Sequence, residues 1–248
     1  MRRPTEFASS GAGPGYVEVA DEPLHKEVYA DRYFRAYCAT LSPGQATGYH
    51  RHSEDTLYVV IKGGIMRTIG FKGAGRSSMV FPRSFPLYRQ LWLALQNGVT
   101  GSAYLPDGLS FFMPTGNRSI VHRAVASPRN RGEVCLMGIE IRHGLAGRLS
   151  SARNALSWQP DYDRVPFGVF TRLFAPGATE RIAAPGYHLF LLCENGSLEI
   201  APESTHGQNG ESRRLATGDF LCFSGDNLAL LRNAGDVTAA VLVIADPA

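Results

Sequence analysis

Two stretches of this chain follow one plan, and that repetition limits the fold more than any other feature. In the first, the turn Ser42-Pro43-Gly44 is followed 19 residues later by Gly63; in the second, Ala175-Pro176-Gly177 is followed 19 residues later by Gly196. Before each closing glycine lies a run rich in aromatic and branched residues, Leu57–Ile61 and His188–Cys193. Such runs, stopped by glycine, read as strands ended by turns. Many short strands at turn-rich intervals, twice over, predict all-β barrels or sandwiches rather than βαβ units.

The rest of the chain fits that plan. Tyr16–Ala20, Tyr33–Leu41, Ile65–Phe71, Gly108–Pro114, Ser119–Ala126 and Val134–Ile141 read as strands of the first half. Leu57–Ile61 and Ile65–Phe71 read as a hairpin across Gly63-Gly64. Phe170–Phe174, Ser197–Ile200, Gly218–Phe223 and Ala239–Ile244 read as strands of the second half, with Ser197–Ile200 as a hairpin's return arm and a turn at Asn209-Gly210. The less regular stretch 72–103 contains one short helix, Tyr88–Gln96, with apolar positions at Leu91, Trp92 and Leu95. As a packed insertion it would cover a barrel end or a subunit interface; as a lid it would bring Tyr88, Arg89 and Trp92 to a ligand. These readings divide the chain into a leader and first strand at 1–27, a first barrel at 28–142, a polar linker at 143–165 and a second barrel at 166–248.

Composition excludes several classes. The chain has 248 residues, 44% hydrophobic and 19% charged, so it can bury a core and is not a disordered chain. A net charge of +3 with dispersed arginines gives nucleic-acid binding little support. No apolar stretch reaches the ~20 residues that span a bilayer. Arg2 and Arg3 resemble the start of a signal peptide, but residues 4–15 hold no apolar segment, so a cytoplasmic chain is expected. Cys38, Cys135, Cys193 and Cys222 form no C-x-x-C pair and sit in apolar runs, which predicts buried free thiols in a reducing compartment.

His50 and His52 carry the chemistry. Residues i and i+2 of a strand share a face, so the two imidazoles aim at one point while Arg51 looks away. Convergent imidazoles suit a transition metal such as zinc, iron, copper or nickel. Tyr58 and Val60 share the parity of the histidines and should line the same cavity. At the corresponding offsets from Gly177 the second half has Ala183, Pro185 and Leu189.

The chain resembles the cupin superfamily, and within it two-cupin proteins. The first cupin motif is a glycine, five residues, H-x-H, three or four residues, a glutamate, six residues and a glycine. Gly44, His50, His52 and Gly63 fit it, with Thr56 at the glutamate position. The second is a glycine, five residues, P-x-G, two residues, a histidine, three residues and an asparagine. Gly108, Pro114 and Gly116 fit its front, the histidine arrives three residues late as His122, and Ala126 replaces the asparagine. In the second half Gly218 and Asn233 keep the frame of that motif, with Ala229 at the histidine position.

The resemblance implies two tandem jelly-roll barrels (double-stranded β-helices), with His50, His52 and His122 as metal ligands in the first and a degenerate, metal-free second barrel. His188 lies at another offset and is read as a pocket or packing residue. The implied cofactor is a divalent transition metal, iron(II) foremost, with zinc, nickel and manganese as alternatives. Three neutral imidazoles leave such an ion its full charge, which favours an anionic or chelating small-molecule substrate. Thr56 would orient a metal-bound water, Tyr58 would face the substrate, and Glu54 or Asp55 offers a fourth ligand. The expected function is a metal-dependent oxygenase or dioxygenase, with a non-redox lyase, isomerase, cyclase or decarboxylase, or a non-catalytic ligand-binding cupin, as alternatives. A composition rich in alanine, glycine and arginine would suit tailoring of a secondary metabolite. Neither nucleic acid nor membrane is an expected partner, and a homodimer is one assembly the resemblance allows.

Overall fold

The computed structural model describes residues 15–72, 79–115, 119–142, 156–162, 165, 167–203 and 212–247. The first half supplies β1 (Val17–Glu18), β2 (His25–Ala30), β3 (Phe34–Leu41), β4 (His50–His52), β5 (Thr56–Lys62), β6 (Gly64–Gly70), helix α1 (Leu87–Thr100), β7 (Ala103–Leu105), β8 (Ser110–Met113), β9 (Ile120–Ala126) and β10 (Val134–Ile141). The second half supplies β11 (Gly168–Phe174), β12 (Thr179–Ile182), β13 (Tyr187–Asn195), β14 (Ser197–Glu203), β15 (Arg213–Ala216), β16 (Phe220–Ser224), β17 (Leu228–Asn233) and β18 (Ala239–Pro247).

Each half is a two-sheet barrel. In the first, the sheet β1-β4-β9-β6-β7 faces β2-β3-β10-β5-β8, and Met66, Ile120 and Ala126 from one pack with Tyr37, Leu41, Val60 and Leu136 from the other. In the second, β11-β18-β13-β16 faces β12-β17-β14-β15 over Leu189, Leu191, Val241, Leu198, Ile200 and Leu231. Gly44 and Gly177, the repeated turn glycines, both take positive φ, +81° and +76°, where a side chain would be strained.

The barrels pack back to back. Phe34, Leu57, Val59, Met137 and Ile139 leave the outer face of the first barrel and meet Val169, Phe190, Leu192, Leu242 and Ile244 of the second. Strands buried on both faces lose polar alternation, which is why β10, β13 and β18 read as nearly unbroken apolar runs. Phe112 belongs to this shared layer, whereas Met66 and Met113 are interior to the first barrel. His188 packs here too, its ring stacked 3.6 Å from that of Tyr33.

Two hairpin expectations need correction. β5 and β6 are not a hairpin: β5 pairs with β10 and β8, and β6 with β7 and β9. Gly63 marks a corner where the chain passes from one sheet to the other, and the same holds at Gly196 between β13 and β14. The histidine pair and the run after it are likewise two strands in two sheets, broken at Ser53–Asp55.

The expected boundary at 27/28 falls inside β2, which pairs with β3, and β1 pairs in parallel with β4, placing Val17 beside His50. Much of the expected 143–165 linker lies outside the described residues, but its end is packed: Leu156 and Trp158 join the second core, and Tyr162 and Val165 the layer between barrels. The helix runs beyond its expected span, and Leu93 turns into the first core. Gly116, the Asn209-Gly210 turn and the leader through residue 14 lie outside the described residues.

Candidate metal centre

His50 and His52 project inward from β4, and Arg51 between them turns outward to an ion pair with Glu18. Antiparallel pairing of β4 with β9 sets His122 directly opposite His50. The three ring centroids form a near-equilateral triangle, 4.8, 4.9 and 4.9 Å on a side, with planes 74–77° apart. Their ligand-capable nitrogens lie within 4.8 Å of one another, and the Nε2 atoms of His52 and His122 are 3.2 Å apart. The late histidine of the second motif therefore reaches the cluster.

Electrostatics keep the rings neutral. Burial, then the neighbouring imidazoles His122 and His50, holds His52 well below the ordinary histidine range. Burial and the ring of His25 bring His50 down to about 4. Burial and the ring of His50 bring His122 to about 3. Near neutral pH each ring thus offers a lone pair. The Nδ1 of His50 donates to the Gly48 carbonyl at 3.0 Å, so its lone pair sits on Nε2. That Nε2 is buried without a hydrogen-bond partner, as is Nδ1 of His122. Orphaned buried polar atoms are costly and call for an explanation.

A second layer fixes the cluster. Nδ1 of His52 lies 3.4 Å from the Tyr37 hydroxyl, which is hydrogen-bonded to the Tyr58 hydroxyl at 2.9 Å. Burial raises both phenols, so they stay protonated. Tyr37 has room because Gly138 stands beside it: a β-carbon there would meet the ring at 2.4 Å.

Two residues beside the cluster escaped the sequence reading. His25 at the start of β2 stands 4.4 Å, ring to ring, from His50. Its Nδ1 is 2.6 Å from Oε2 of Glu22. Glu22 is 2% exposed and accepts also from the backbone N–H groups of Leu24 (2.8 Å) and Gly48 (3.0 Å). Burial opposes its ionisation, but the bonds from His25, Gly48 and Leu24 prevail and hold its carboxyl below the usual range. One carboxylate thus fixes the His25 ring and the Gly48 peptide that holds His50. The only sequence signal was a glutamate and a histidine three residues apart just before a strand.

The cluster opens on a cavity of about 70 Å³. His25, His50, His122, Tyr58, Thr47 and Thr68 supply its polar groups, and Met66, Phe111, Met113 and Leu136 much of its apolar wall. This is room for a small molecule of several non-hydrogen atoms, since ~10–15 Å³ of such space holds one water.

Thr56 and Asp55 stand outside the triangle, though Thr56 is hydrogen-bonded to Tyr37 of the second layer. Thr56 is buried and donates to the Glu54 carbonyl at 3.1 Å. Asp55 accepts from the N–H and the hydroxyl of Thr115 at 2.8 and 2.9 Å. Opposite Thr56, Glu140 is bound to Arg35 at 3.1 Å. The cysteines are free, but they are not uniformly inert. A hydrogen bond from Cys38 holds the Cys135 thiol below its ordinary range, helped by the Thr40 hydroxyl 3.5 Å away.

Among solved structures, an 11S globulin from Wrightia tinctoria with an auxin binding site aligns over 86% of this chain and 75% of the globulin, at TM-score 0.54 and 11% identity. The chain has the globulin's tandem jelly-roll fold. Two further similarities cover a third of the chain: oxalate oxidase with glycolate (21% identity, TM-score 0.30, 33% of this chain and 42% of that one) and the Drosophila melanogaster CENP-C cumin domain (18%, 0.29, 32% and 57%). The chain thus spans about half the length of these two structures. No family model and no curated protein matches the sequence. No helix among the described residues is long and apolar enough to cross a membrane.

Proposed function

We propose that the protein is a two-barrel cupin enzyme that holds a divalent transition metal in its first barrel and acts on a small organic anion or chelator. The observation that carries this reading is the triangle of three neutral imidazoles, buried at His50 and His52 and half-buried at His122, with the lone-pair Nε2 of His50 left without a hydrogen-bond partner. Two nitrogens bound to one cation at ~2.1 Å stand about 3.0–3.4 Å apart, and the His52–His122 separation of 3.2 Å falls in that range. His50, His52 and His122 would hold the ion. When bound, it would supply Lewis acidity and, as iron(II), one-electron chemistry with O₂ at the positions that three ligands leave open.

Oxygenation with iron(II) is the first form of the reading, supported by the all-neutral ligand set and the largely apolar cavity. The Glu22–His25 pair favours a second, non-redox form: lyase, isomerase or decarboxylase chemistry. Glu22 commits Nδ1 of His25, which leaves Nε2 as the ring nitrogen free to take a proton from a bound substrate. Tyr58 lines the same cavity from β5, in the sheet opposite His50, His52 and His122, and the second barrel serves as a scaffold packed behind the site.

The experiment is O₂ uptake by iron-loaded protein against a panel of small carboxylates, enols and thiols. Substrate-dependent uptake, abolished by His122→Ala, supports oxygenation. Substrate conversion without uptake supports the proton-transfer form. Ligand binding without any conversion contradicts both and makes the protein a binding module.

A further inference from the structure

Helix α1 carries an apolar face that none of the described residues covers. Leu87, Tyr88, Leu91, Trp92, Leu95 and Val99 are 55–76% exposed, while Leu93 anchors the helix to the barrel. Single exposed apolar residues are ordinary, but a contiguous face of six is not. Together they present apolar surface on the order of 700 Å², against the ~800 Å² that each partner contributes to a standard interface.

The spacing identifies the occupant. Tyr88, Trp92, Leu95 and Val99 follow one another at steps of four, three and four, the seam of a helix that packs against another helix. In an antiparallel pair about a two-fold axis, Tyr88 meets the partner's Val99 and Trp92 meets the partner's Leu95. Every layer then sets a large ring against a smaller side chain. A parallel pair would stack tryptophan on tryptophan and leave valine facing valine. The helix has a single charged residue, Arg89, so self-pairing meets no cluster of like charge. In the antiparallel arrangement Arg89 comes beside the C-terminal turn of the partner helix, where a cation is favoured. We propose that this face is occupied by the same face of a second copy of the chain, making an isologous dimer through α1.

Sedimentation equilibrium of the full chain across the micromolar range tests this. The expected mass is that of a dimer, and Trp92→Glu/Leu95→Glu should give a monomer with unchanged far-UV circular dichroism that still melts cooperatively, since both residues face solvent in the single chain. Should that variant misfold, oxidative cross-linking decides: a mixture of Tyr88→Cys and Val99→Cys chains should couple to each other, and Tyr88→Cys alone should not. A monomeric or trimeric wild type overturns the proposal, as does a dimer that survives the double substitution. So does a monomer that co-sediments with phosphatidylcholine vesicles, which would assign the face to a bilayer.

Discussion

Nε2 of His52 and Nε2 of His122 face each other at 3.2 Å, and both rings are neutral near pH 7. Two such atoms are reconciled in only two ways. Either one ring donates its N–H to the other, or both lone pairs converge on a cation. The first leaves the His50 Nε2 orphan unexplained; the second gives a partner to that atom and to both facing Nε2 atoms.

Glu22 should tune the centre without touching it. Glu22→Gln removes a charge that receives three hydrogen bonds, two of which orient His25 and the Gly48 peptide behind His50. Cobalt(II) affinity is expected to fall about 10–100-fold, as for other groups that orient a metal ligand. Competition with a chromophoric chelator measures it, and an unchanged affinity would detach Glu22 from the site.

Gly138→Ala should damage the site through Tyr37. The added carbon would sit 2.4–2.6 Å from ring atoms of Tyr37, which is buried and cannot retreat. The overpacking is expected to cost about 1–3 kcal/mol, or several degrees of melting temperature. Tyr37→Leu in the same chain should recover part of that loss, because the two changes act on one space. Additive losses would mean that the clash is relieved elsewhere.

Stability should fall as pH rises, in part through Glu194. Burial, then the charge of Asp161, lifts its carboxyl to about 8. In the unfolded chain it ionises near 4.3, as glutamate ordinarily does. Between those values the folded protein holds a proton that the unfolded chain releases, so the native state loses stability from about pH 4.3 until the folded group ionises near pH 8. Asp246, raised to about 7 chiefly by burial, acts in the same direction. Glu194→Gln should flatten the slope and raise the melting temperature at pH 8. An unchanged pH profile would place an unseen partner on Glu194.

What the sequence revealed, and what it concealed, follows from range. His50 and His52 were legible because strand alternation acts over two residues, and the repeated glycines were legible because turns are local. The sheet assignments were not: a Gly-Gly that closes a hairpin and one that turns a corner between sheets look alike, and β5 and β6 show the difference only through strands β7 to β10. Glu22 and His25 were hidden for the same reason. Their relation to His50 depends on β1 lying beside β4 and β2 beside β3, pairings that no local pattern encodes. The room that Gly138 makes for Tyr37 spans about 100 residues of chain and shows only in the register of β10 against β3.

Cobalt(II) titration with visible absorption tests the central claim most directly. The account predicts one equivalent per chain, with d–d bands of a nitrogen-rich site, and loss of that uptake in His50→Ala, His52→Ala and His122→Ala alike. No stoichiometric uptake by the wild type, or full uptake in His122→Ala, would contradict it.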